Sequence, residues 1–288
     1  MPASRNSPDF LIIGAMKCGT TTLYHDLLCH PNIFLPDKES NLLLTASPAE
    51  AYQQAYQKST PDQICGEVCP DYSKLPDQAE AVSHAKKLFP DHPPRLIYLI
   101  REPLARTLSH HRFVSTRRDT RFPTMPPDIN LCLNQHPQLL NYSRYAMQLK
   151  PWIEAFGKDA LLVIRFEDYI KNRQTTLKQI TRYLDLPNLP ALSHPDQIHN
   201  AAQSRPVLTT GWQRFITHAF YRRVVRPILN PALREKLRQL VLPKATEQCI
   251  PPTIQTQQNI VDQLRSDTAE LQTLLELDAP LWPPAATK

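Results

Sequence analysis

The segment GAMKCGTTT, residues 14–22, gathers a lysine and three threonines around two glycines, directly after the apolar run 10–13. Residue types of this kind at the end of a strand and the start of a helix can hold anions; the alternative is an ordinary tight strand–helix turn. Glycines let the backbone fold tightly, several N–H groups converge on one point, and the helix N-terminus favours negative charge. The threonine hydroxyls add donors at the first turn. The pattern differs from a nucleotide-hydrolysing loop, G-x-x-x-x-G-K-[ST], in one decisive place. Gly14 and Gly19 have the spacing, but Thr20 stands where the lysine belongs, and Lys17 lies inside the loop instead.

A second candidate, REPLARTLSHHRF at 101–113, places Arg101 at the end of the apolar run 95–100, Pro103 where a helix would start, and Ser109 two turns on. A guanidinium and a hydroxyl in that arrangement can bind a second phosphate. The alternative is an arginine paired with Glu102 or another acid. The run ends in Arg101 and not in an aspartate, so no magnesium site of the Walker type is read. A group less charged than phosphoryl can be transferred without one. Sulfuryl meets that requirement, with Lys17 countering charge at the oxygen that bridges phosphate and sulfate.

The elements that must position these residues follow from hydrophobic pattern. Unbroken apolar runs at 9–15, 95–101 and 160–166 read as strands buried on both faces, with a weaker one at 64–68. Helical patterns follow at 20–29, 104–116 and 169–184, and others span 141–156, closed by Gly157, and 260–277. The first helix must stop at His30-Pro31. Strand–helix alternation predicts an α/β three-layer sandwich around a parallel sheet. The segment 117–138 reads as an irregular excursion. Residues 1–288 are expected to form one domain, with the α/β core over about 9–186 and a helical C-terminal extension over about 187–288.

Bulk properties bound the reading. The chain has 288 residues, only 5 glycines against 29 prolines, and a net charge of +6, which points to acidic ligands. Much of that charge lies between Arg205 and Lys244, a solvated helical face or a surface for an anionic acceptor or membrane. The six cysteines form no CxxC pair and no zinc spacing, as expected of reduced thiols. The apolar run at 10–16 is too short for a membrane span, and Lys17 occupies the place of a cleavage site. A cytoplasmic location is expected.

Taken together, KCGTTTL (17–23) and REPLARTLSHHRF (101–113) resemble the 5′-phosphosulfate loop and the 3′-phosphate element of sulfotransferases that use 3′-phosphoadenosine 5′-phosphosulfate. VIRFEDY (163–169) resembles a structural strand of that family, and the tail 264–282 resembles the ending of bacterial members. The resemblance implies that Lys17, Cys18, Gly19, Thr20, Thr21, Thr22, Arg101 and Ser109 bind the sulfated nucleotide. HNAAQSRP (199–206) resembles the loop that closes over it, which adds Asn200, Ser204 and Arg205. FLPDKESNLL (34–43) resembles the "KE" stretch of glycosaminoglycan-type members, where the glutamate is the base, and this implies that role for Glu39 beside Lys38. GEVCPDY (66–72) resembles a further stretch with Glu67 and Tyr72 at the site wall, although Val68 stands where a lysine is usual. His110 and His111 are rival bases, and His25 reads as a core-edge histidine. The implied acceptor is a glycan, lipid or small molecule with a hydroxyl or amine, with no metal and no nucleic acid. Two other readings stay open: a nucleotide kinase of related fold, and a noncatalytic anion-binding protein.

Overall fold

Each of the four runs is a strand, and with a short fifth strand they build a sheet of five parallel strands. The computed structural model describes residues 6–115, 125–188 and 249–282. In chain order the strands are β1 (Phe10–Gly14), β2 (Ile33–Phe34), β3 (Ile64–Val68), β4 (Arg95–Ile100) and β5 (Leu161–Arg165), and their spatial order is β2-β3-β1-β4-β5. β1 is buried throughout and sits at the centre. It pairs with β3 in the register Phe10↔Gly66 and Ile12↔Val68, and with β4 in the register Phe10↔Arg95 and Gly14↔Tyr98. Such burial on both faces requires helices on either side of the sheet.

The helices that bear on function are α1 (Thr20–Leu27), α2 (Pro48–Ala55), α3 (Glu80–Leu88), α4 (Pro103–Ser115), α5 (Gln138–Asn141), α6 (Tyr145–Phe156), α7 (Phe166–Lys171), α8 (Arg173–Tyr183) and α9 (Ile254–Leu274). The chain leaves β1 towards β2 on one side and leaves β4 towards β5 on the other. The carboxyl ends of β1 and β4 therefore flank the point where the connections reverse direction, the place where open α/β sheets bind ligands.

Two expected helices are divided. The pattern at 141–156 becomes α5 and α6, separated by a turn, because Ser143 and Arg144 bend the chain so that Tyr145 begins a new helix. Gly157 closes α6 with φ of 83°, as its sequence position implied. The pattern at 169–184 starts earlier and breaks at Asn172, whose φ of −130° is not helical. The excursion at 117–138 holds a short 3₁₀ turn, Ile129–Leu131, and Asp128 bridges to Ile250. The last helix begins at Ile254, earlier than the apolar pattern indicates, because Thr253 caps it by accepting from the Thr256 N–H.

Deeper in the fold, Asp26 of α1 is buried and receives both the Tyr169 hydroxyl and the Arg173 guanidinium. That network fixes α1 against α7 and α8. Asp267 of α9 accepts from the N–H groups of Ala146 and Met147 at 3.1 and 2.9 Å, which caps α6 from a residue 120 positions away. Among the described residues no helix is long and apolar enough to cross a membrane.

Candidate active site

The glycine loop and the strand-end arginine meet at the junction of β1 and β4. Ala15 donates its N–H to the Leu99 carbonyl at 2.8 Å, carrying the sheet pairing into the loop. Arg101 lays its guanidinium over the Phe166 ring, 4.8 Å from the centroid, and reaches the Lys17 carbonyl at 3.5 Å. Phe166 also packs under Gly19: a Cβ there would stand 2.8 Å from its ring. Gly19 has φ of 93°, a left-handed conformation that side chains resist. Only glycine therefore suits this position, for both space and backbone. Lys17 itself has φ of 72° and holds its ammonium 4.4 Å from the centre of the Phe113 ring.

Helix geometry supplies no intrahelical acceptor to the first N–H groups of α1, among them those of Thr20 and Thr21. Gly19 caps the helix without a side-chain bond, so the N-terminus faces the loop open to an anion. Thr20 and Thr22 are buried and Thr21 is half-buried. Cys18 is buried. Its N–H turns back to the Ala15 carbonyl at 3.2 Å, and burial pushes its thiol up to about 11. Cys18 thus packs within the loop, its sulfur 3.6 Å from the Tyr145 hydroxyl.

Two residues that no motif singled out hold this loop. Arg106 is fully buried on α4 and donates to the carbonyls of Met16 at 3.1 Å and Leu139 at 3.0 Å, and to the Ser143 hydroxyl at 3.1 Å. Tyr145 donates to the Arg101 carbonyl at 2.8 Å, accepts from the Arg101 N–H at 3.2 Å, and stands 3.6 Å from the Cys18 sulfur. Their one sequence signal is polarity at helix positions that face the core. Glu102 does not pair with Arg101. Its carboxylate accepts from the N–H groups of Leu104 and Ala105 and caps α4, while its own N–H donates to Glu167. The RFEDY segment thus supports the site through Phe166 and Glu167, and Glu167 also accepts from the Trp282 indole in the C-terminal tail.

Ser109 lies half-buried on α4, two turns from Arg101. His110 is buried against Arg106 and stacks on Tyr142, and burial, then the Arg106 charge, holds its pKa well below the usual histidine value. His111 is engaged by the Pro126 carbonyl at 2.8 Å. His25 is half-buried, edge-on to Tyr24. Asn200, Ser204, Arg205 and the basic stretch 205–244 lie outside the described residues.

Glu39 occupies the same carboxyl edge of the sheet, beyond β3. Its side chain is 54% exposed and paired with Lys38, whose side chain is largely covered. Its φ is 63° and that of Asn41 is 55°, so two residues of this short loop are left-handed without being glycine. Glu67 and Tyr72, expected at the wall of the site, are buried beneath it. The Glu67 carboxylate accepts from Ser40 Oγ at 2.9 Å, Leu42 N at 3.0 Å, Tyr52 OH at 2.5 Å and Tyr72 OH at 2.7 Å. Burial raises its pKa, against the pull of those bonds.

The sulfotransferase domain model matches residues 7–209. Mouse heparan sulfate glucosamine 3-O-sulfotransferase 3B1 is 23% identical over 201 residues, covering 66% of this chain and 49% of that protein. The membrane-associated sulfotransferase kil1 of Dictyostelium discoideum is 31% identical over 112 residues, 37% of this chain and 23% of the relative. The chain thus spans at most about half the length of these curated relatives. In fold it is similar to the crystal structure of a sulfotransferase from Alicyclobacillus acidocaldarius, with a TM-score of 0.58 at 19% identity, covering 95% of this chain and 97% of that one. With well over half of its length matched by the domain model, the chain belongs to the sulfotransferase family.

Proposed function

We propose that the chain transfers a sulfuryl group from 3′-phosphoadenosine 5′-phosphosulfate to a hydroxyl or amine of an acceptor, with Glu39 as the base. The observation that carries the reading is the junction at β1 and β4. There Arg101, the loop carbonyl of Lys17 and the ring of Phe166 come together beside an uncapped helix N-terminus. Those donors suit a nucleotide with phosphate at two positions: N–H groups from Gly19 onward at the 5′ end, and a guanidinium with the Ser109 hydroxyl at the 3′ end. The close fit of Gly19 against Phe166 leaves no room for a side chain where the backbone must approach an anion.

When bound, the nucleotide supplies the activated sulfuryl group. Lys17 places a positive charge next to the loop and counters negative charge as it develops, an effect whose removal typically costs about 10²–10³ in rate. Glu39 is exposed at the same edge of the sheet and takes the proton from the acceptor, in keeping with a base that must reach an incoming group. The acceptor is a glycan, lipid or small molecule. The mouse relative is named for transfer to heparan sulfate glucosamine, which places carbohydrate hydroxyls first among acceptors to try.

A thermal-shift comparison of adenosine 3′,5′-bisphosphate with ATP-Mg tests the reading. At 100 times its dissociation constant a ligand stabilises the fold by about 2.7 kcal/mol. The bisphosphate is expected to raise the midpoint. A shift with ATP-Mg alone would sink the reading in favour of a kinase.

A further inference from the structure

The loop that carries Glu39 is fastened to the end of β3 almost residue by residue. The Glu39 N–H donates to the Val68 carbonyl at 3.0 Å. Ser40 Oγ and the Leu42 N–H both donate to one oxygen of Glu67. Cys69 Sγ stands 3.1 Å from Asn41 Oδ1 as donor, and the Leu43 N–H donates to the Tyr72 hydroxyl at 2.9 Å. Asn41 closes the turn on itself by donating Nδ2 to the Glu39 carbonyl at 3.0 Å. Left-handed backbone at two non-glycine residues persists only where surrounding structure over-determines it.

Glu67 is the one member of this set that binds two points of the loop at once, on either side of Asn41. Its other oxygen accepts from Tyr52 and Tyr72, whose rings come from α2 and from the turn after β3. All four partners are donors, and a carboxylate is the side chain that accepts on both oxygens. A buried carboxylate without such partners would be costly, so its retention at full burial is accounted for by the loop it holds.

We propose that Glu67 is a positioning residue, which fixes the loop 39–43 and with it the direction of the Glu39 carboxylate; this rests on the reading of Glu39 as the base. The resemblance of 66–72 implies Glu67 at the site wall. Its complete burial assigns it instead to the frame behind the wall.

Amide hydrogen exchange on the full chain, combined with titration of adenosine 3′,5′-bisphosphate, tests the role without an acceptor. Hydrogen bonds to a charged group are strong enough that their loss raises local opening roughly tenfold or more. Glu67→Leu is expected to speed exchange at the Glu39 and Leu42 N–H groups by about that factor, with β1 and β4 amides and bisphosphate affinity unchanged. Glu67→Gln can turn its oxygen to the loop and its amide to the two hydroxyls, and is expected to restore protection at Leu42. Should Glu67→Leu fail to fold, Ser40→Ala removes one arm from the half-buried side and is expected to speed Glu39 exchange alone. Unchanged exchange at Leu42 in Glu67→Leu, or at Glu39 in Ser40→Ala, overturns the positioning role. Glu39→Gln keeps protection at Leu42 but loses turnover; undiminished turnover there would overturn the base assignment through a different measurement.

Discussion

Two loops at the carboxyl edge of the sheet each hold a charged residue in a left-handed conformation, Lys17 with φ of 72° and Glu39 with φ of 63°. They are held by opposite chemistry. The Lys17 loop is gripped by its carbonyls: Arg106 takes Met16 and Arg101 takes Lys17. On the proposed reading, the N–H groups of Gly19, Thr20 and Thr21 at the start of α1 serve the anion. The Glu39 loop is gripped by its donors, with Val68 and Glu67 accepting from Glu39, Ser40 and Leu42. Its carboxylate stays exposed beside Lys38, where the proposed reading has it take a proton. On that reading, the support in each loop engages the polarity that the reaction leaves unused.

The largest expected effects separate the two charges. Lys17→Ala and Glu39→Gln are each expected to lower sulfuryl transfer to an acceptor the wild-type chain sulfates by roughly 10²–10³. Glu39→Gln is expected to leave bisphosphate affinity unchanged, so a loss of affinity in that variant would merge two loops that the comparison keeps apart. Gly19→Ala sets a Cβ 2.8 Å from Phe166 in backbone at φ of 93°. Left-handed strain and overpacking together are expected to cost about 2–4 kcal/mol of stability, read by denaturant unfolding.

Arg101→Ala is expected to weaken the bisphosphate tenfold or more by calorimetry, since charge-assisted bonds are worth about 1.5–3 kcal/mol. Equal affinity in the variant would remove Arg101 from the nucleotide site. Tyr145→Phe loses the hydroxyl shared by Arg101 and Cys18 and is expected to lower stability by about 1 kcal/mol. A matching Tyr72→Phe loosens only the Glu39 loop, and its bisphosphate affinity is expected to stay at the wild-type value.

A further effect is one of pH. Burial and the neighbouring Arg106 keep His110 neutral in the fold, with its pKa well below the ordinary 6.5. The unfolded chain therefore binds a proton that the folded chain refuses, and stability falls as pH drops below about 6.5, by up to about 1.4 kcal/mol per pH unit. His110→Gln is expected to flatten the thermal midpoint between about pH 7.5 and 5.5. An unchanged slope would show that His110 is charged beside Arg106.

Much of this protein is legible along the chain. Continuous apolar runs marked β1, β3, β4 and β5 within a residue or so, because a strand covered on both faces needs apolar side chains at every position. The two-residue β2 was not legible, as it is too short to show any period. Lys17 and Arg101 stood out because a charge inside a glycine loop or at a strand end suits an anion, and Glu39 stood out through the resemblance of 34–43 to the KE stretch. Arg106, Tyr145, Phe166 and Glu67 were invisible in their true roles. A buried polar residue looks like any other until its partners, here 90, 44, 65 and 27 residues away, are known. The sequence by itself determined the fold class and the charges brought to the sheet edge, since both are written in local pattern. The tertiary structure alone decided which carbonyls and donors are taken up behind each loop. Hydrogen bonds between distant segments select a partner by position, and position exists only once the sheet has assembled.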